Sequence, residues 1–129
     1  MSGTEYPVLV IEDESAVLAF IRAVLERDGF AVAGASSGVL GLEMLASGKF
    51  AGVISDMRMP GGVGGEEVYR WLAQFQPELA RRMLFITGDT VNPRTLQALQ
   101  TTGVPFIEKP FRAKELVRMV RQVIGGEEK

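Results

Sequence analysis

Four short stretches of this sequence run from apolar residues directly into groups able to do chemistry. Val53-Ile54-Ser55-Asp56 ends in a carboxylate and continues through Met57-Arg58-Met59-Pro60. Val8-Leu9-Val10-Ile11 runs into Glu12-Asp13-Glu14, Met83-Leu84-Phe85-Ile86 into Thr87-Gly88-Asp89, and Pro105-Phe106-Ile107 into Glu108-Lys109-Pro110. Apolar runs of this length with polar C-terminal ends read as fully buried parallel strands. An open parallel sheet collects its chemistry just beyond the carboxyl ends of its strands. Glu12, Asp13, Asp56, Thr87 and Lys109 are therefore expected at one rim. Carboxylates this close repel one another, and a hard cation with oxygen ligands relieves that repulsion. Mg²⁺ suits one or two carboxylates plus waters and phosphate oxygens. A lysine and a hydroxyl facing the cation would hold the remaining oxygens of a phosphoryl group, because phosphoryl transfer depends mainly on alignment and charge neutralisation. One carboxylate must then act as nucleophile and form an aspartyl-phosphate. Asp56, on the middle strand of the inferred sheet, is the natural choice.

The segments between the strands carry helical patterns. Val17, Phe20, Ile21, Val24 and Leu25 follow the spacing of a helix packed by one face, with Ser15 as a cap and Gly29 as a stop. Phe30-Ala31-Val32-Ala33 is a weaker strand candidate, and Ser36 and Ser37 offer caps for a helix through Leu42 and Leu45 that ends near Gly48. Val68, Leu72 and Phe75 mark a third helix that stops before Pro77. Pro93 fits the first turn of a fourth, which carries Leu96 and Leu99 and ends near Gly103. Leu116, Val117, Val120 and Ile124 mark the fifth, terminated by Gly125-Gly126. Strand and helix alternate five times. With right-handed crossovers this predicts an α/β fold with a five-stranded parallel sheet and helices on both faces.

Composition narrows the function. The 129 residues suit one domain, and a hydrophobic content of 47% supports a core without staples. A net charge of -2 argues against direct nucleic-acid binding by this domain. There is no cysteine, which excludes disulfides, thiolate metal sites and thiol nucleophiles. There is no histidine either, so a Ser-His-Asp triad is excluded and any phosphohistidine must come from a partner. No apolar stretch approaches the ~18 residues of a membrane span, and Met1-Ser2-Gly3-Thr4-Glu5 lacks the pattern of a signal peptide. A soluble, cytoplasmic protein is expected, with no membrane partner.

Taken together, these motifs resemble the receiver domain of bacterial two-component response regulators. The acid pair is Glu12-Asp13, the acceptor segment Asp56-Met57-Arg58-Met59-Pro60, the switch hydroxyl lies in Thr87-Gly88, and the lysine in Lys109-Pro110-Phe111. Any one motif is weak; all four in order at strand ends are specific. The resemblance covers roughly Pro7 to Ile124, so residues 1–129 are expected to form a single receiver domain with its core at about 7–124. It implies a flavodoxin-like sheet of order 2-1-3-4-5. By position, Asp56 would accept a phosphoryl group from a histidine kinase or phosphotransfer protein. Asp13, Asp56 and the backbone carbonyl of Arg58 would ligate Mg²⁺, Glu12 would act through water, and Thr87 and Lys109 would contact phosphoryl oxygens. Phe106 takes the place of the switch aromatic, while Arg58 and Asp89 flank the mouth and modulate the lifetime of the phosphorylated form. The resemblance also implies a cis peptide between Lys109 and Pro110. Output, including a homodimer, would use the face of the fourth helix, fifth strand and fifth helix, with the basic stripe Lys114, Arg118 and Arg121 beside it. The Phe85–Asp89 and Phe106–Phe111 runs are similar to receivers of hybrid histidine kinases.

Blander readings stand beside these. A lone Asp at a strand end is more often a turn residue, and Glu12-Asp13 could simply open a helix whose dipole suits acids. The companions of Asp56 reverse that prior. Gly61-Gly62-Val63-Gly64-Gly65 lacks the Gly-Lys-Ser/Thr ending of a phosphate-binding loop and reads as a loose connector that deprives the third helix of an N-cap. Tyr69 and Trp71 read as partly buried helix residues, and the basic stripe by default as a solvated face. Two other functions compete. An aspartyl-phosphate phosphatase is similar in its nucleophile but places a second aspartate where this chain has Arg58. A degenerate receiver acting as a non-phosphorylated interaction module would not need the complete set of acids, Thr87 and Lys109. The expected molecule is a phosphoacceptor with only self-catalysed chemistry rather than an enzyme.

Overall fold

The computed structural model describes residues 6–125. The elements are β1 (Val8–Ile11), α1 (Ser15–Arg27), β2 (Val32–Ala35), α2 (Gly38–Ser47), β3 (Gly52–Asp56) and α3 (Gly65–Phe75). They continue as α4 (Pro77–Ala80), β4 (Met83–Thr87), α5 (Pro93–Thr102), β5 (Phe106–Glu108) and α6 (Ala113–Val123). The five strands form one parallel sheet of order β2-β1-β3-β4-β5. That is the expected α/β topology, with β3 in the middle. The single turn of α4, nucleated by Pro77 at its start, was not legible as a helix. The fourth and fifth helices read from the sequence are therefore α5 and α6.

Alternation along the strands feeds two cores. Val8, Val10, Ile54, Leu84 and Ile86 pack with Ile21 and Leu25 of α1 and Leu116 and Val120 of α6. Leu9, Ile11, Val53 and Phe85 pack on the other face with Leu45, Val68, Leu72 and Leu99 from α2, α3 and α5. β1, β3 and β4 are buried at every residue, which is why they read as unbroken apolar runs. β5 differs from expectation: as an edge strand it alternates, with Ile107 inward and Phe106 and Glu108 exposed.

Local signals moved by a residue or two. β2 begins at Val32, two residues after the apolar run opens. Ser15 does not cap α1; Glu14 holds the N-cap position without a side-chain bond, and Ser15 is the first helical residue. Ser37 rather than Ser36 caps α2, its Oγ accepting from the Leu40 N–H at 3.1 Å. Asn92 caps α5 by accepting from the Arg94 N–H, Pro93 follows it, and Gly103 closes the helix at φ +68. Gly125 ends α6 at φ +96; Gly126 lies outside the described residues. No helix among the described residues is long and apolar enough to cross a membrane.

Candidate phosphoacceptor and metal site

Strand register builds the site. Ile11 pairs with Ser55, so the next residues out, Glu12 and Asp56, stand side by side. Asp56 pairs with Ile86, which puts Thr87 one step beyond it on β4. Thr87 pairs with Glu108, and the Lys109 N–H donates to the Thr87 carbonyl at 2.7 Å. Four neighbouring strands thus deliver their C-terminal residues to one rim, as the sequence predicts. Asp13, Glu14, Asp56, Arg58, Thr87 and Lys109 line a shared pocket there of about 290 Å³.

Lys109 is the hub. Its Nζ lies 3.0 Å from Asp56 Oδ2, 3.3 Å from Glu14 Oε1 and 3.4 Å from Glu12 Oε1. Burial alone would lower the lysine pKa, but the hydrogen bond and charge of Asp56, with Glu12 and Glu14, outweigh it and raise it. Lys109 therefore stays cationic. Glu12 is fully buried, and burial pushes its carboxyl up to about 7. The nearby charge of Asp56 acts in the same sense, whereas the Glu14 N–H and Lys109 oppose it. Glu14 is the residue that the sequence reading left without a role. Its place directly after the acid pair was the available signal.

One carboxylate oxygen from each of Glu12, Asp13 and Asp56 lies within 4.8 Å of the others. Glu12 and Asp56 are buried and Asp13 is exposed, so the cluster opens to solvent on one side. Glu12 Oε1 is buried without a hydrogen-bond partner. An all-oxygen donor set with one open side, whose buried Glu12 Oε1 has the Lys109 ion pair but no hydrogen bond, fits a hydrated hard cation. These residues could hold a metal ion.

The remaining predicted residues take distinct positions. Thr87 is buried, and its Oγ1 accepts from the Asp89 N–H at 3.2 Å. Arg58 and Asp89 meet across the mouth at 3.7 Å, with more than 40% of each side chain exposed. Phe106, expected as the switch aromatic, points outward at 41% exposure on the surface of the sheet edge. The Lys109–Pro110 peptide is cis.

Two expectations need correction. The glycine-rich loop is not loose throughout. Gly61 and Gly62 adopt positive φ, but Val63 then turns back onto the start of α2. A Cβ on Gly38 would lie 2.2 Å from the Val63 carbonyl oxygen, so only glycine admits this approach. Gly64, the N-cap of α3, cannot cap with a side chain. Instead Glu67 reaches back and accepts from the Gly64 N–H at 2.9 Å. The second correction concerns the basic stripe. Lys114, Arg118 and Arg121 line the groove against α1 rather than joining β5 and α5, and Arg121 makes a two-pronged pair with Asp28.

An open parallel α/β sheet of order β2-β1-β3-β4-β5, with three acids and a lysine gathered at its C-terminal rim, places the chain among the doubly wound α/β proteins with a site that could hold a metal ion. The chain belongs to the response regulator receiver domain family, whose model matches residues 8–121. It is 37% identical over 116 residues to the C4-dicarboxylate transport transcriptional regulatory protein DctD of Rhizobium meliloti, covering 89% of this chain and 24% of that protein. It is 32% identical over 121 residues to the transcriptional regulatory protein FixJ of Bradyrhizobium diazoefficiens, covering 94% of this chain and 58% of that one. The chain thus spans about a quarter to just over half the length of these relatives. The crystal structure of a response regulator receiver domain protein from Clostridium thermocellum superposes with a TM-score of 0.80 at 29% identity, covering 92% of this chain and 94% of that one. Receiver domains of response regulators act in two-component signalling, and this chain is one of them.

Proposed function

We propose that this receiver is a phosphorylatable switch in which Asp56 takes a phosphoryl group from the phosphohistidine of a partner histidine kinase or phosphotransfer protein. The observation that carries the reading is the contact of Lys109 Nζ with Asp56 Oδ2 at 3.0 Å inside the acid cluster. In the proposed reaction an Asp56 carboxylate oxygen forms a bond to phosphorus, the phosphorus–nitrogen bond breaks, and the imidazole leaves with that electron pair. Mg²⁺, bound by Asp13, Asp56 and the Arg58 carbonyl with Glu12 acting through water, would supply charge neutralisation for the transferring group. Lys109 would exchange an Asp56 contact for a phosphoryl oxygen, and the Thr87 hydroxyl would donate to another. The lysine is already charged and aimed, so little reorganisation is needed. Reaction and reversal by water are the domain's own chemistry, without turnover of a separate substrate. Because a histidine kinase draws on ATP, the cytoplasm is the proposed compartment.

Output is proposed to leave through α5, β5 and α6. Drawing the Thr87 hydroxyl toward the phosphoryl group vacates space that Phe106 can fill from β5. Phenylalanine carries no hydroxyl that would need a partner once buried, so the inward state costs little. The test is incubation with Mg²⁺ and acetyl phosphate followed by intact-mass measurement. One labile phosphoryl adduct is expected on the wild type and none on Asp56→Asn. Acid-stable labelling of the variant, or no adduct on the wild type, refutes the assignment.

A further inference from the structure

A groove of about 750 Å³ lies away from the acid cluster, between α1 and α6. Its apolar lining comes from Val24, Ala113 and Val117, and its basic lining from Arg27, Lys114 and Arg118. We propose that this groove docks an acidic, amphipathic helix of a partner protein.

Three observations carry the proposal. First, among the described residues the acids beside the groove are engaged: Asp28 by Arg121, and Glu115 by the backbone N–H of Arg112. Arg27, Lys114 and Arg118 make no ion pair among the described residues, so the groove is a local excess of positive charge on a chain of net charge -2. Second, Lys114 stands in the first turn of α6, where the helix dipole disfavours a cation. Local preference does not account for it, and such departures concentrate at functional surfaces. Third, the length of the groove suits a helix. From Ala113 to Arg121 the α6 wall runs about 12 Å, roughly two helical turns. Leucine-like anchors at i, i+3 and i+4 would meet Val24 and Val117 while flanking acids meet the cations.

Other polyanions fit less well. A phosphate backbone gains nothing from the apolar floor of Val24, Ala113 and Val117, which the apolar face of a helix would cover. A bilayer surface is too flat to reach the bottom of a cleft between two helices. The groove shares no lining residue with the acid-cluster pocket, so docking and phosphoryl transfer are separable.

A labelled synthetic 14-residue peptide tests this, with leucines along one helical face and glutamates flanking them, titrated by fluorescence anisotropy at 50 mM and 500 mM salt. Saturable binding is expected at low salt, weakened severalfold at high salt as the charges are screened. Lys114→Glu with Arg118→Glu should weaken it by about tenfold or more, the scale set by reversing two interfacial contacts. Amide shifts on peptide addition should fall on Val24–Asp28 and Ala113–Arg121. Should the double variant melt early, Arg118→Gln alone is used, with a smaller loss of the same sign. The proposal is overturned if the peptide fails to bind or binds the variants equally. It also fails if a glutamine-for-glutamate peptide binds as well, or if the shifts fall on α5 and β5. Binding only to duplex DNA or phosphatidylserine vesicles would likewise reject it.

Discussion

Replacing Glu12 with glutamine should stabilise the metal-free protein at high pH and do nothing at low pH. Glu12 is fully buried, and one of its oxygens has no hydrogen-bond partner. Its carboxyl titrates near 7 when folded against 4.5 as the ordinary value. Below about pH 4.5 both folded and unfolded chains hold the proton, and Glu12 adds no cost. Between there and about 7 the unfolded chain releases the proton while the folded one keeps it, so stability falls as pH rises. Above about 7 both states are ionised and the full cost of a buried charge is present. At 1.36 kcal/mol per pKa unit, a shift of that size corresponds to about 3 kcal/mol. Glu12→Gln retains an oxygen to accept from the Glu14 N–H but cannot ionise. Urea denaturation in EDTA should therefore show the variant up to about 3 kcal/mol more stable at pH 8, converging on the wild type near pH 4.5. The reasoning fails if the variant is no more stable at pH 8, or if the difference between the two proteins is independent of pH.

Mg²⁺ should raise the wild-type melting temperature, contributing about 1.4 kcal/mol at ten times its Kd; Asp13→Asn should lose this gain, and equal melting in Mg²⁺ and chelator would mean the acids do not converge on a cation. Removing both Arg58 and Asp89 side chains to alanine should change the dephosphorylation rate while shifting stability by no more than about 1 kcal/mol, the scale of an exposed pair. An unchanged decay of the phosphorylated form, followed by intact mass, would refute that role. NMR of the Phe106 ring should show it moving from an exposed to a buried environment with beryllofluoride, together with shifts in the amides of α5. A ring that stays put removes the proposed output route.

Much of this molecule was legible from residue types alone, because a buried parallel strand must be apolar throughout and must end where chemistry begins. β1, β3 and β4 read directly for that reason, and with them Glu12, Asp13, Asp56 and Thr87. Glycine and proline likewise punctuate α5, where Pro93 can only start a helix and Gly103 can only end one at φ +68. The edge strands were less clear, since β2 and β5 are covered incompletely and their patterns weaken accordingly. What depended on distant residues could be read only as far as a shared rim, not as individual contacts. The position of Lys109 among three carboxylates follows from strand register, which sets Glu14 95 residues away within 3.3 Å. The elevated titration of Glu12 follows from burial, a property of the packed rim rather than of the glutamate. The direction of the basic stripe was decided by the way α6 lies against α1, where Asp28 meets Arg121. Sequence determined which groups this protein carries to the ends of its strands, through local pattern; only the tertiary structure decided which of them touch, because contact depends on register and helix rotation that no local run of residues encodes.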